Sequence, residues 1–246
     1  MSRKDVTITT PDGEARAFVF TPDSGSGPWP GAIFYMDAPA IRPALFEMAQ
    51  RLADYGYYVL LPDMFWRVGP YEPIVMANIR SDEERRAIFG KFFASTSPAK
   101  AMSDTGAFLD FLSAQPEVKG TKVGVTGYCM GGGFALRAAA AFPDRIAAAA
   151  AFHPSNLATD QPDSPHLGVA QIKARVLVAG GDRQADRVEL EVIGFGFGEE
   201  SWGIENILIA GDPELPETWE RVDSALNRDY LHPSGAKLKV AACLID

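Results

Sequence analysis

Residues 122–134 read KVGVTGYCMGGGF, and this stretch decides the fold. A β-forming run ends at Gly127, Cys129 follows, and an alanine-rich helical segment begins at Met130. The pattern is G-x-C-x-G, the cysteine form of a nucleophile elbow, in which a strand turns sharply into a helix. Glycines leave room where the two backbones nearly touch, and the thiol is presented at the rim. The motif therefore predicts an α/β fold with Cys129 as nucleophile.

Cys129 would gain reactivity from its position at the start of a helix. Unpaired N–H groups and the positive end of the helix dipole stabilise a thiolate there. The N–H of Met130 can also bind the negative oxygen that develops on an attacked carbonyl, as half of an oxyanion hole. The alternative interpretation is a tight turn with an incidental buried cysteine, because reduced cysteine is among the most buried residue types.

Compact apolar runs alternate with helical patterns on both sides of the elbow. The predicted buried strands are 31–35, 57–61, 122–126, 146–152 and 175–179. The predicted helices are 43–55, 82–94, 99–114 and 130–141. This alternation indicates an open, doubly wound, mostly parallel sheet with helices on both faces, which binds ligands at the carboxyl ends of its strands. Segments 6–10 and 14–20, separated by Pro-Asp-Gly, predict a β-hairpin at the sheet edge.

Length and charge are those of one acidic globular domain. The chain has 246 residues, and 32 acidic against 23 basic side chains give a net charge of −9. We expect a single domain over residues 1–246, with neither nucleic acid nor a membrane as partner. Cys129 and Cys243 lack the spacing of a disulfide framework or metal site, and no cofactor is expected. No signal peptide or membrane-length apolar run is evident, which predicts a cytoplasmic location.

Several motifs, in this order along the chain, resemble the dienelactone hydrolase family of the α/β-hydrolase superfamily. Besides the elbow they are 34–43 (FYMDAPAIRP), 57–67 (YYVLLPDMFWR), 152–166 (FHPSNLATDQPDSPH) and 176–182 (VLVAGGD). The resemblance covers residues 14–182 and implies hydrolysis of a small-molecule lactone or ester by a Cys-His-Asp triad without a metal. Cys129 corresponds to the nucleophile. Asp182, in a G-x-D turn after the fifth strand, corresponds to the acid that orients the histidine.

The same resemblance implies further site residues on the rim. Asp37 stands where the family has an acidic residue that interacts with the resting thiol, and the backbone N–H near Ala38 would complete the oxyanion hole. Arg67 falls where an arginine binds the substrate carboxylate, for which its fork geometry is suited. Three plainer alternatives stay open: a loop aspartate at Asp37, a solvated arginine at Arg67 and a turn-capping aspartate at Asp182.

Residues 183–246 depart from the family pattern. The G-x-x-H-[GS]-F motif that carries the family's general base is absent, and the histidines of the chain are His153, His166 and His232. We expect His232 to act as base by an unfamiliar route. His153, on the rim after the neighbouring strand, is expected at the substrate or as an alternative base, and His166 in a structural role. The abrupt change suggests divergence or translation in a shifted reading frame.

The leading functional hypothesis is hydrolysis of a lactone or ester through Cys129. The alternative is a catalytically impaired relative that binds a small ligand or a protein partner on the same rim, because the histidine motif is missing. Redox sensing by Cys129 is a third hypothesis. It is disfavoured because no second cysteine is placed to resolve a sulfenic acid.

Overall fold

The chain forms a mixed α/β structure around one large sheet. The computed structural model describes residues 2–183, 187–195, 201–213, 215–231 and 237–238. The strands are β1 (Ser2–Thr10), β2 (Gly13–Thr21), β3 (Trp29–Tyr35), β4 (Tyr58–Pro62), β5 (Val118–Tyr128), β6 (Ile146–Phe152), β7 (Arg175–Arg183), β8 (Arg187–Phe195), β9 (Ser201–Ala210), β10 (Tyr230–Leu231) and β11 (Lys237–Leu238). The first nine make a sheet of order β1-β2-β4-β3-β5-β6-β7-β8-β9, and β10 pairs with β11.

The described residues include five α-helices. They are α1 (Pro43–Asp54), α2 (Asp82–Ser95), α3 (Pro98–Ser113), α4 (Met130–Ala141) and α5 (Pro216–Leu226). The four predicted helices are confirmed close to their expected bounds. Local chemistry explains their starts: Ser81 caps α2 by accepting from the Glu84 N–H at 3.1 Å, and Ser97 caps α3 by accepting from the Lys100 N–H at 3.2 Å.

The centre of the sheet, β4-β3-β5-β6-β7, is parallel, as predicted. The chain moves from β3 to β4 toward one edge, and from β5 to β6 toward the other. Because such crossovers are right-handed, α1 and α4 are expected on opposite faces of the sheet. The direction reverses between β3 and β5, so the crevice at the carboxyl ends of these two strands is the natural ligand site.

The predicted N-terminal hairpin is confirmed at one edge of the sheet. β1 pairs antiparallel with β2 from Ser2↔Thr21 to Thr10↔Gly13. β2 then pairs antiparallel with β4 and joins the hairpin to the parallel centre. This register places the turn at Asp12 beside the end of β4, a position that becomes important for Arg67.

The opposite edge differs from the expectation. β7 does not turn at Asp182 but continues to Arg183 and pairs antiparallel with β8, which pairs antiparallel with β9. The predicted G-x-D turn is therefore wrong. α5 covers a small cluster of buried residues, Val188, Ile209, Val222 and Ala225, which is separate from the main core.

Candidate active site

The elbow has the sharp geometry that the sequence predicts. Cys129 lies between β5 and α4 with φ 52° and ψ −117°, in a region that non-glycine residues rarely adopt. Its N–H donates to the Phe152 carbonyl at 3.0 Å, and its carbonyl accepts from the Gly132 N–H at 3.1 Å. The thiol-bearing residue is half-buried. These bonds hold the turn between the end of β6 and the first turn of α4.

Two glycines are required because three backbone segments meet here. A Cβ on Gly127 would lie 2.2 Å from the Gly131 carbonyl oxygen, which leaves no space for any side chain. A Cβ on Gly131 would lie 2.4 Å from the Tyr35 oxygen and 2.6 Å from the Met36 oxygen. The end of β5, the start of α4 and the end of β3 are thus in close contact. Steric necessity at both glycines accounts for the G-x-C-x-G pattern.

The same contact brings the two expected oxyanion donors toward one place. Met130 is the first residue of α4, and N–H groups in a first helical turn have no intrahelical acceptor. Ala38 follows Met36 in the loop after β3, whose end packs on Gly131. Both residues thus lie close in sequence to the contact at Gly131, and their role as oxyanion donors stays a prediction.

Tyr128, directly before the nucleophile, is a neutral apolar support. Its ring stacks on Phe152 at 4.9 Å between centroids and meets Phe34 edge-on at 5.4 Å. Burial raises the pKa of Tyr128 to about 12. The phenol therefore remains protonated at neutral pH and cannot act as the missing base.

The loop after β3 is closed by an ion pair that the sequence prediction missed. Arg42 donates to both carboxylate oxygens of Asp37, at 2.5 and 2.6 Å, and to the Ala40 carbonyl at 3.1 Å. Ala40 is fully buried with φ 66°, so the loop holds a strained residue under this clamp. Asp37 was expected to face the thiol, but both of its oxygens bond Arg42. Opposite charges five positions apart were the available signal.

Arg67 does not have the solvent-facing position expected of a substrate-binding arginine. It donates to both oxygens of Asp104, each at 2.8 Å, and to Asp12 at 2.6 and 3.1 Å, while its guanidinium lies 4.2 Å from the Trp66 ring centroid. The Asp104 side chain is only 1% exposed. Burial alone would lower the pKa of Arg67, but the hydrogen bonds to both aspartates outweigh this effect and raise it. The guanidinium thus has a structural role in neutralising a buried carboxylate, and the substrate-binding role of Arg67 stays a prediction.

The described histidines lie in different settings. His153 follows β6 with φ 35°, its N–H donates to the Ala179 carbonyl at 2.6 Å, and its ring centroid lies 6.3 Å from that of Tyr128. Since Phe152 bonds the backbone of Cys129, His153 is next to the elbow. His166 is exposed, and its Nδ1 lies 2.7 Å from the buried Ser164 hydroxyl, in agreement with a structural role. His232 lies outside the described residues.

Asp182 occupies β7, the strand that follows β6 in the sheet. Its backbone pairs with Glu189 of β8. It lies three positions beyond Ala179, which bonds the His153 backbone. The triad role of Asp182 stays a prediction.

An apolar groove begins at the candidate oxyanion loop. It has a volume of about 490 Å³ and is lined by Ala38, Pro39, Met76, Arg85, Arg86, Phe89, Gly90 and Phe93. Most of these residues come from α2 and from the short 3₁₀ helix Met76–Asn78 that precedes it. Sequence patterning did not predict the groove, because it arises where a loop and a helix from different parts of the chain meet.

The described residues contain neither a metal-binding cluster nor a membrane-spanning helix. Among those residues, no group of three or more His, Cys, Asp or Glu side chains is arranged to hold a metal ion. No helix within them is both long enough and apolar enough to cross a membrane.

Comparison with known proteins decides the family. The model of the dienelactone hydrolase family matches residues 15–189, which is more than half of the chain. The chain belongs to the dienelactone hydrolase family. The resemblance inferred from the sequence motifs is thereby confirmed, and so is the α/β-hydrolase fold.

Individual relatives from the dienelactone hydrolase family are similar to this chain over only part of their length. A carboxymethylenebutenolidase of Rhodococcus opacus is 31% identical over 130 residues, covering 51% of this chain and 44% of that protein. The crystal structure of a dienelactone hydrolase-like promiscuous phosphotriesterase from metagenomic libraries is 28% identical, with a TM-score of 0.56 over 75% of this chain and 69% of that one. The chain spans about half the length of the curated carboxymethylenebutenolidases that it matches.

The C-terminal part resembles a different family. A model described as the terminase large subunit gpA, endonuclease domain, matches residues 148–246. The terminase large subunit of Escherichia phage lambda is 43% identical over 65 residues, which is 26% of this chain and 10% of that protein. An out-of-frame translation would not preserve such identity, so the shifted reading frame is the wrong explanation. The departure from the family pattern coincides with similarity to another protein.

Proposed function

We propose that this protein hydrolyses a lactone or carboxylic ester by attack of Cys129 on the substrate carbonyl. The observation that carries the proposal is the elbow, a half-buried cysteine held at positive φ at the start of α4. Such a conformation costs about 1–3 kcal/mol and persists only where the surroundings enforce it. An incidental buried cysteine would not require it. Family membership and the carboxymethylenebutenolidase relatives support the same chemistry.

The proposed reaction has two halves. The Cys129 thiolate forms a C–S bond to the carbonyl carbon, and the oxyanion accepts hydrogen bonds from the N–H groups of Met130 and Ala38. Collapse expels the alkoxide, which takes the proton that the Cys129 thiol gave to a general base, and leaves a thioester. Water then attacks the thioester and gives a proton to the same base. Collapse releases the acid and the Cys129 thiolate, which takes that proton back and regenerates the thiol. In a lactone the alcohol and the acid belong to one product.

The second half requires a general base, and we propose His153 for it before His232. His153 is adjacent to Phe152, whose carbonyl accepts from the Cys129 N–H, and its own backbone bonds β7 near Asp182. A carboxylate at Asp182 would orient the imidazole and stabilise its protonated form. His232, predicted earlier as the base, stays the second candidate.

The competing function is that of an impaired relative that binds a ligand without turnover. The absence of the family's histidine motif and the terminase-like segment that occupies its place support it. The impaired relative would bind a small ligand or a protein partner on the same rim. On either hypothesis the net charge of −9 disfavours nucleic acid and anionic membranes. A reducing cytoplasm is the proposed location, because the thiol must stay reduced.

The deciding experiment measures the pre-steady-state burst and the steady rate with p-nitrophenyl acetate. The matched pair is Cys243→Ser, which retains Cys129 as its only thiol, and the double variant that also carries Cys129→Ala. Intact-mass spectrometry follows acetylation of the protein. We expect a burst and an acetyl adduct that both require Cys129. Absence of an adduct on the Cys243→Ser protein would refute nucleophilic catalysis at Cys129.

The steady rate then separates the hydrolase from the impaired relative. Sustained Cys129-dependent turnover requires a base, whereas a single burst without turnover favours the impaired relative. If His153 is the base, His153→Gln lowers the deacylation rate at least about a hundred-fold, and the acetyl adduct accumulates. His166→Gln is the matched control and should behave as the wild type. An equal loss only in His232→Gln would transfer the role to His232.

A further inference from the structure

The groove that begins at Ala38 has a largely apolar wall. Phe89, Phe93 and Met76 are among its lining residues, and Phe93 and Met76 are 46% and 39% exposed. Soluble proteins seldom leave aromatic and methionine side chains grouped around a concave surface unless an apolar ligand covers them. The groove volume of about 490 Å³ falls in the range of small-molecule sites.

Two charged residues are also among those that line the groove. Arg85 and Arg86 are both exposed, and the Nε of Arg86 donates to the Asp82 carbonyl at 3.3 Å. The other lining residues, Ala38, Pro39, Met76, Phe89, Gly90 and Phe93, carry apolar side chains or none. A ligand buried here would gain from apolar contact more than from hydrogen bonding.

The groove is continuous with the proposed reaction site through one residue. Ala38 lines the groove, and its N–H is the proposed oxyanion donor. A substrate whose carbonyl oxygen binds at Ala38 would place a neighbouring part of the molecule into the groove. We propose that the groove binds an apolar hydrocarbon group of the ester substrate, so that the preferred substrates carry a medium-length alkyl or aryl group. This inference rests on the proposed hydrolase function.

Gly90 provides a precise way to fill the groove. It lies in α2, lines the groove, and a Cβ added to it would have no atom within 4 Å. Gly90→Leu should therefore occupy ligand space without a clash, and the change from glycine favours the helix. Gly90→Ala is the control with a small side chain. Ala87→Leu adds the same side chain to an exposed position of α2 that does not line the groove.

Binding is measured first, with unreactive amides, so that it does not depend on turnover. Isothermal titration compares hexananilide with acetanilide on the wild type, and each methylene that becomes buried should strengthen binding about two- to four-fold. We expect hexananilide to bind at least about ten-fold more tightly. Gly90→Leu should remove most of this preference, whereas Gly90→Ala and Ala87→Leu should retain it within about two-fold. Equal affinities of the two anilides for the wild type would overturn the proposal.

Kinetics then assigns the group that occupies the groove. One series of p-nitrophenyl esters varies the acyl chain from acetyl to hexanoyl, and a second series of acetate esters varies the alcohol. Each is scored by the rate of Cys129 acylation. The series whose length dependence disappears in Gly90→Leu identifies the acyl or the alcohol side. Length dependence in neither series would overturn assignment of the groove to the substrate.

These experiments distinguish failure of the groove proposal from failure of the hydrolase proposal. Acylation of Cys129 by acetate esters, without any preference for longer groups, would support the hydrolase proposal and refute the assignment of the groove to the substrate. Tight, Gly90-dependent binding of hexananilide without acylation by any ester would retain apolar binding in the groove and refute hydrolysis through Cys129.

Discussion

Replacing Arg67 by methionine should destabilise the fold without impairing substrate binding. The substitution keeps the aliphatic stem and removes the guanidinium that bonds both oxygens of Asp104 at 2.8 Å. The Asp104 carboxylate is 1% exposed, and its remaining side-chain partner is the Trp66 indole N–H at 3.0 Å. A buried charge would thus lose its neutralising partner.

The expected cost follows from this burial. Removing one partner of a buried ion pair typically costs about 3–5 kcal/mol. The lower end, about 3 kcal/mol, applies here because the Trp66 donor remains, and it corresponds to a decrease in melting temperature of about 6–12 °C. Asp12 is the other partner of Arg67 and is 48% exposed, so Asp12→Asn should cost less than about 1 kcal/mol.

Urea unfolding followed by circular dichroism measures these differences, and the double variant Arg67→Met, Asp104→Leu tests their cause. Replacing both charges by apolar groups should recover much of the stability lost in Arg67→Met. KM for a carboxylated ester should stay within about two-fold of the wild-type value at a temperature where both proteins are folded. A stability change below about 0.5 kcal/mol together with a ten-fold rise in that KM would restore the substrate-binding role and refute the structural one.

Three further substitutions test other parts of the structure. Gly131→Ala should lower Cys129 acylation at least about ten-fold and cost about 1–3 kcal/mol, because its Cβ would meet the Tyr35 oxygen at 2.4 Å; burst kinetics and urea unfolding measure both. Arg42→Met, which opens the clamp on Asp37, should slow acylation several-fold with less than about 1 kcal/mol lost, since both side chains are partly exposed; wild-type burst rates would contradict a positioning role. Val222→Ala, in the cluster under α5, should cost about 2 kcal/mol in urea unfolding and leave the acylation burst unchanged.

The parts of the fold predicted correctly from sequence depend on local patterns. Strands β3 to β6 and helices α1 to α4 follow from apolar periodicity and capping residues, and the elbow follows from steric needs that only glycine meets. The ion pairs of Arg67 could not be predicted, because its partners, Asp12 and Asp104, lie 55 and 37 positions away in sequence. No local pattern connects residues at that separation, so an arginine on a loop is indistinguishable from one inside an ion-pair network.

The strand after β7 was not predicted from the sequence, for a different reason. Residues 187–195 read RVELEVIGF, in which valine, leucine and valine alternate with glutamate, a period typical of a strand with one buried face. Val188 is indeed fully buried beneath α5. The signal was present, but no strand was predicted after β7, because residues 183–246 were considered only as a departure from the family pattern. Local evidence deserved more weight than the resemblance once the histidine motif was absent.

β7 lies in both of the regions that match known families. The dienelactone hydrolase match ends at residue 189 and the terminase match begins at 148, so both include most of β6 and all of β7. β7 pairs in parallel with β6 on one side and antiparallel with β8 on the other, so backbone hydrogen bonds continue across the junction. The buried cluster under α5 is separate from the main core. A sheet can accept a new neighbour at an edge strand without repacking its interior, because the edge already presents unpaired N–H and C=O groups. Such an edge lets a dienelactone hydrolase elbow keep its geometry while a different polypeptide takes the place of the segment that carries the family's histidine.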